Sequence, residues 1–446
     1  MVPLETVRMT GPKNSAIALS VSMFAKTLLD NGIRLVTQEM PDHRSASLGI
    51  WVENGSRHES RQQNGISHFI EHLLFKGTER RSAARIAEEM DAVGGVLNAF
   101  TSKEHTCYYA KVLDENLPMA IDLLTDIFLH SIFDGDEIER ERSVILQEIS
   151  QAEDTPDDYV HDLFNLDFFK DHPLGRPIAG RSETVTGFKR DDFLDFFRAR
   201  YQPRRVIVSA AGHIRHEELV QAMAERLGGV TETSGKTPSE NLEGEVPPET
   251  RSGVFQHSKS LEQVHLCLGV PGISHAHPQR YAAYVLNTML GGGMSSRLFQ
   301  EIREKRGKAY SVYSFMSSYQ DVGYLGVYAG TSLESVEEVV ELILKELQNL
   351  ASGRADDDEI SRTKGQLVGN MILGLESTDS WMSHIARNEI YFGKSISTDE
   401  IIGGIRAVTR DEVVDLARTL FRSDRMALSL LGDFEDGRKI KNLNLR

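Results

Sequence analysis

Two stretches of this 446-residue chain repeat each other at a constant offset, and that repeat confines the fold to two copies of one unit. MAIDLLTDIF (119–128) has its counterpart, SVEEVVELIL, 216 positions later at 335–344. Both carry apolar residues at three- and four-residue intervals, as a helix with one buried face does. The same offset lays VLNAFTSKEHTCYYAKV (96–112) over VYSFMSSYQDVGYLGVY (312–328) without a gap, pairing Val96 with Val312, Ser102 with Ser318 and Tyr108 with Tyr324. VIVSAAGHI (206–214) and MALSLLGDF (426–434) read as matching terminal strands. Two copies are too few for a solenoid. Strands interleaved with helices, without a regular βαβ rhythm, predict an α+β layered fold with helices covering a sheet face. Between the copies, TETSGKTPSENLEGEVPPET (231–250) is rich in Pro, Ser, Thr and Glu and reads as an exposed linker. The expected organisation is therefore a first domain over 24–230, a linker over 231–250 and a second domain over 251–446.

Charge narrows the choice of partners. Lys and Arg number 50 against 66 Asp and Glu, a net charge of −16. Such a surface repels phosphate backbones and anionic lipid, so neither nucleic acid nor a membrane is an expected partner. No window approaches the roughly 18 apolar residues of a spanning helix. Two distant cysteines, Cys107 and Cys267, make neither a disulfide framework nor a thiolate metal site, which fits a reducing, cytoplasmic location. The stretch Met1–Ser22 reads as a loose tail rather than a signal peptide, and leaves open whether the chain starts at Met1 or Met23.

The chemistry concentrates in NGISHFIEHLLFKGT (64–78). It predicts a helix capped by Asn64, stopping at Gly77 with Lys76 in its last turn. His68 and His72, four apart, project from one face, and both imidazoles can reach one ion at zinc's bonding distance of about 2.0–2.1 Å. Glu71 lies on nearly the same face, placed to take a proton from water without binding the ion. In a chain with 15 histidines, His-x-x-Glu-His arises by chance only about 0.04 times. A third protein ligand is still needed. One source is DEIERERSVILQEISQAED (136–154), where Glu141 and Glu148 stand two helical turns apart, close to the face of Ile138, Ile145 and Ile149. A buried carboxylate is compensated by a dication, yet spacing alone leaves a solvated acidic helix equally open. Gly291–Gly293 is followed by Met-Ser-Ser and lacks the ending of a phosphate loop.

Taken together, His68-Phe-Ile-Glu71-His72 and the later Glu148 resemble the inverzincins of the pitrilysin and insulinase superfamily. GSRHE (55–59), GGVLNAFTSKEHTCYYAKV (94–112), HPLGRPIAG (172–180) and GGGMSSRLFQEIREKRGKAYSVYS (291–314) carry the same resemblance, which spans roughly Leu28 to Phe434. In length and phrasing the chain looks most like the catalytic subunit of mitochondrial processing peptidase and its bacterial relatives. The resemblance implies two tandem α/β-roll domains, each a mostly antiparallel sheet covered by helices, together forming half of a clamshell. It implies one Zn2+ per chain held by His68, His72 and Glu148, with Glu71 as general base and Glu141 supporting the ligands. Asn98 and Ala99 then open an edge strand on which a peptide substrate pairs, and Arg303 and Tyr310 hold that substrate and polarise its carbonyl.

In the second copy the offset of 216 replaces His68, Glu71 and His72 by Tyr284, Asn287 and Thr288. For the later helix, EI at 137–138 aligns with EI at 359–360, a shift of 222 that sends Glu148 to Asn370, so that copy is expected to be metal-free. The resemblance also implies a homodimer in which Arg303 and Tyr310 of one chain serve the zinc of the other. Two alternatives stand beside the zinc endopeptidase: a non-catalytic scaffold of the same fold, and a catalytic subunit that needs a zinc-less partner chain.

Overall fold

The computed structural model describes residues 23–232, 246–434 and 445. The expected tail over Met1–Ser22 and most of the expected linker therefore lie outside the described residues. The first half builds strands β1 (Met23–Leu28), β2 (Arg34–Glu39) and β3 (Ser45–Val52), then helices α1 (Ile66–Leu73) and α2 (Ala83–Ala92). Strands β4 (Val96–Thr101) and β5 (Thr106–Leu113) follow, then α3 (Leu117–His130), α4 (Gly135–Glu153), α5 (Pro156–Phe168), α6 (Ser182–Gly187) and α7 (Arg190–Arg200). Strand β6 (Val206–Gly212) and helix α8 (His216–Leu227) complete it.

The second half runs β7 (Gly253–Ser258), β8 (Val264–Pro271), α9 (Arg280–Gly291), a wide helical turn over Phe299–Glu304, β9 (Ala309–Ser318) and β10 (Gly323–Thr331). Helices α10 (Val336–Ala351), α11 (Asp357–Gly374), α12 (Thr378–Phe392), α13 (Thr398–Ala407) and α14 (Arg410–Leu420) precede the last strand, β11 (Ala427–Gly432).

The sheets display the repeat directly. The first is ordered β1-β2-β6-β3-β5-β4 and the second β7-β11-β8-β10-β9, so the second matches the first strand for strand once β1 is set aside. Only β2–β6 and β7–β11 pair in parallel; every other pairing is antiparallel. The segments aligned by the offset become β4–β5 over β9–β10 and α3 over α10. The fold is α+β, in two tandem copies.

Strand alternation decides which layer each side chain joins. In β3, Leu48, Ile50 and Val52 enter the core shared with α1, α3 and α4, while Trp51 points to the opposite face. That opposite face is covered by a helix from the other copy. Met382, Ile385 and Ala386 of α12 pack on Val36, Trp51, Cys107 and Ile207 of the first sheet. Reciprocally, Val160, Phe164 and Phe168 of α5 pack on Cys267, Tyr324 and Leu431 of the second sheet. Each half thus lends one helix to the other.

A buried ion network ties the halves together at a second place. Arg57 donates Nη1 and Nη2 to the two carboxylate oxygens of Asp321, in the β9–β10 turn, at 2.7 and 2.5 Å. The same Nη1 reaches Glu104 Oε1 at 2.7 Å, and Glu104 also accepts the Gln320 backbone N–H. Glu104 sits in the β4–β5 turn, three residues beyond Thr101, so the second copy's hairpin braces the end of the edge strand β4. Among the described residues no helix is long and apolar enough to cross a membrane.

Candidate metal centre and active site

Helix α1 begins later than the sequence suggests. Its cap position is Gly65, not Asn64, and its last residue is Leu73. The N-terminal N–H groups are satisfied from a distance: Glu59 Oε2 accepts from the Gly65 N–H at 2.8 Å and Oε1 from the Ser67 N–H at 2.9 Å. A carboxylate at a helix N-terminus also meets the positive end of the dipole. Glu59 is buried, and that burial pushes its carboxyl upward in pKa against the pull of these donors. Gly65 has φ +98°, and a Cβ there would lie 2.7 Å from Ala179 O and 2.8 Å from Gly180 Cα. Only glycine permits this backbone contact, which seats α1 against the HPLGRPIAG segment.

Ile66, Phe69, Ile70 and Leu73 bury one face of α1 in the first core, which turns His68, Glu71 and His72 the other way. Helix α4 lies alongside with Ile138, Ile145 and Ile149 buried, and this places Glu148 over the two imidazoles. Glu148 Oε2 is 3.9 Å from His68 Nε2 and 3.7 Å from His72 Nε2, and one ligand atom from each of the three residues lies within 4.8 Å of the others. Among the described residues no other group of three His, Cys, Asp or Glu comes together in this way. A tetrahedral ion with bonds of about 2.0–2.2 Å sets its ligands about 3.4 Å apart, so each of these two spacings needs to close by about half an ångström or less. Two neutral imidazoles and a carboxylate are a zinc donor set. The residues fit the ion.

The surroundings prepare the ligands. His72 Nδ1 lies 3.0 Å from Glu141 Oε2. A carboxylate only accepts, so Nδ1 carries the proton and Nε2 presents its lone pair. Glu141 in turn pairs with Lys76 Nζ at 2.6 Å, on the turn after α1. The two glutamates of α4 take different environments: Glu141 is buried, whereas Glu148 keeps 43 % of its side chain exposed. Burial, with a smaller contribution from His72, pushes His68 down to about 4, which keeps it neutral at neutral pH. Glu71 accepts a hydrogen bond from Thr101 Oγ1 at the end of β4, and burial raises its pKa against that bond and the nearby His72. A carboxylate held high in pKa is a better proton acceptor. Replacing Glu141 by Gln should cost about 10–100-fold in zinc affinity, read by competition with a chromophoric chelator, because His72 loses its charged partner.

Asn98 and Ala99 lie on β4, which among the described residues pairs only with β5 and forms the free edge of the first sheet. The Asn98 side chain accepts the Ala99 N–H at 2.8 Å. Arg303 and Tyr310 come together, but with each other: the Arg303 guanidinium carbon lies 4.8 Å from the ring centroids of both Tyr310 and Phe299. Tyr310 is 80 % exposed at the start of β9. Among the described residues no hydrogen bond or ion pair joins either one to His68, Glu71, His72 or Glu148. Glu59, Thr101 and Lys76 are contributors that the sequence did not assign, although all three stand within the quoted motifs.

A doubled α+β fold with His-x-x-Glu-His on one helix and a glutamate from a second defines the inverted-motif class of zinc peptidases. Within that class, the chain belongs to peptidase family M16, the insulinase family: residues 34–182 match "Insulinase (Peptidase family M16)" and residues 187–367 match "Peptidase M16 inactive domain". It is 44 % identical over 414 residues to an uncharacterized zinc protease of Streptomyces coelicolor, covering 92 % of this chain and 90 % of that one. It is likewise 44 % identical over 409 residues to the uncharacterized zinc protease YmxG of Bacillus subtilis, covering 92 % and 98 %. The crystal structure of a protease from Helicobacter pylori shares the fold, with a TM-score of 0.84 at 21 % identity over 92 % of this chain and 99 % of that one.

Proposed function

We propose that the protein is a zinc metalloendopeptidase acting on unfolded or presequence-like peptides. The convergence of His68, His72 and Glu148 within 4.8 Å, with Glu71 on the same helix as both histidines, carries this reading. A zinc ion held by these three residues supplies Lewis acidity toward a peptide carbonyl and acidifies water. Glu71, steadied by Thr101, accepts the proton of the attacking water and returns it to the leaving amine. The peptide pairs along the free edge of β4 from Asn98, aligning its backbone with Glu71 through main-chain hydrogen bonds.

Arg303 and Tyr310 make no described contact with this centre, and Tyr310 stands exposed at the opposite sheet's edge strand. We infer that they act across a homodimer, two half-clamshells closing on a peptide so that the pair from one chain stabilises the carbonyl oxygen at the other chain's centre. The test is metal content by mass spectrometry beside cleavage of a quenched, unfolded peptide. One zinc per chain, with cleavage abolished by a chelator and restored by zinc, is the expected result. A chain lacking zinc and activity overturns the reading. Bound zinc without cleavage until a zinc-less homologue is added points instead to an unlike partner chain.

A further inference from the structure

The proposed pairing along β4 exposes a peptide's side chains alternately to the two faces of the first sheet. Leu97 and Ala99 join the core on the α1 side, and Thr101 reaches Glu71 there. Asn98 and Phe100 turn to the other face, toward α12. Beside them lies an open cavity of about 440 Å³, walled by Phe100 and Tyr109 from the edge hairpin, the end of α11, and α12 as far as Arg387. Tyr109 stands directly opposite Asn98 in the β4–β5 pairing, so the cavity wall and the strand edge are continuous.

The charges in this cavity are unequal. Asp379 is already paired with Lys111 at 2.6 Å. Arg387 is exposed and, among the described residues, makes no ion pair or hydrogen bond. Arg387 thus brings a solvent-facing guanidinium without a carboxylate partner to a cavity that Phe100 and Tyr109 also line, and its chemistry calls for an anion.

We propose that this cavity is a specificity subsite in which Arg387 binds the carboxylate of an acidic side chain on a peptide lying along β4. The inference rests on the peptidase reading for the peptide's path. Because alternate residues face α12, an acidic residue helps at the one position of the bound segment that faces the cavity and is neutral at the two positions flanking it, which face α1.

The test uses the full zinc-loaded chain and unfolded peptides that differ by a single Glu, Ala or Lys scanned along one sequence. Cleavage is followed by mass spectrometry and binding by fluorescence anisotropy of labelled peptides. We expect Glu at the favoured position to lower KM about tenfold relative to Ala, with kcat unchanged. Arg387→Ala should erase that preference while leaving kcat and KM for the Ala peptide intact; Arg387→Lys should keep part of it, and Arg387→Glu should favour Lys. Peptides ending in an amide or a free acid separate a side-chain carboxylate from a terminal one, and a preference that follows only the free terminus overturns the proposal. Equal KM and equal binding for Glu and Ala peptides in the unaltered chain, or a preference that survives Arg387→Ala, also overturns it. Preferential binding of Glu peptides, lost in Arg387→Ala, upholds the subsite even where nothing is cleaved, and in that case the peptidase reading alone has failed.

Discussion

A Glu71→Gln chain is expected to keep its zinc and lose peptide hydrolysis by roughly 10²–10⁴-fold, the range general-base catalysis contributes. Gln preserves the shape and can still accept the Thr101 hydrogen bond, but it cannot take a proton. None of the three converging ligand atoms belongs to Glu71, so metal content should not move. Full activity in this variant would remove Glu71 from the mechanism. The same chain tests the proposed homodimer. Mixed with Tyr310→Phe, each heterodimer holds one site with both Glu71 and Tyr310 intact, and random exchange should give back about a quarter of full activity. If subunit exchange is verified and no activity returns, Tyr310 does not act across the interface.

The second large effect is on stability. Arg57→Ala should destabilise the fold by about 3–5 kcal/mol, since it strands the Glu104 and Asp321 carboxylates it bridges. The Arg57 and Glu104 side chains are only 6 and 7 % exposed, so water cannot take over the lost bonds. Asp321→Asn should cost clearly less, because the Arg57–Glu104 pair survives and Asp321 is 25 % exposed. Urea unfolding followed by tryptophan fluorescence measures both. The chain's two tryptophans, Trp51 and Trp381, both sit where α12 meets the first sheet, so their emission reports the contact between the halves. Equal losses in the two variants would show that Arg57 is not the bridge.

What the sequence disclosed is what depends on local spacing. His68, Glu71 and His72 share a helix, so four-residue periodicity alone puts them on one face. The repeat disclosed two sheets, because its offset laid the β4–β5 hairpin over β9–β10. Long-range partners were not legible in this way. Asn64 had the right residue type for a helix cap, yet Glu59 satisfies the α1 N–H groups after a turn of chain that no periodicity encodes. By spacing alone Glu141 and Glu148 looked equivalent two turns apart, and only the resemblance told them apart; the packing of α4 on α1 buries one and leaves the other reachable. The exchange of α5 and α12 was invisible for the same reason: an amphipathic pattern shows that a helix buries a face, not whose sheet receives it.

That exchange makes the silent copy impossible to shed. A chain cut back to its metal-bearing portion would leave Val36, Trp51, Cys107 and Ile207 bare on one side of the sheet, and its own α5 would have nothing to rest on. Such a fragment would stick to its neighbours rather than fold, because so broad an oily surface does not survive in water. Duplication here became mutual dependence: the portion without the His-x-x-Glu-His pattern still shelters the one that carries it.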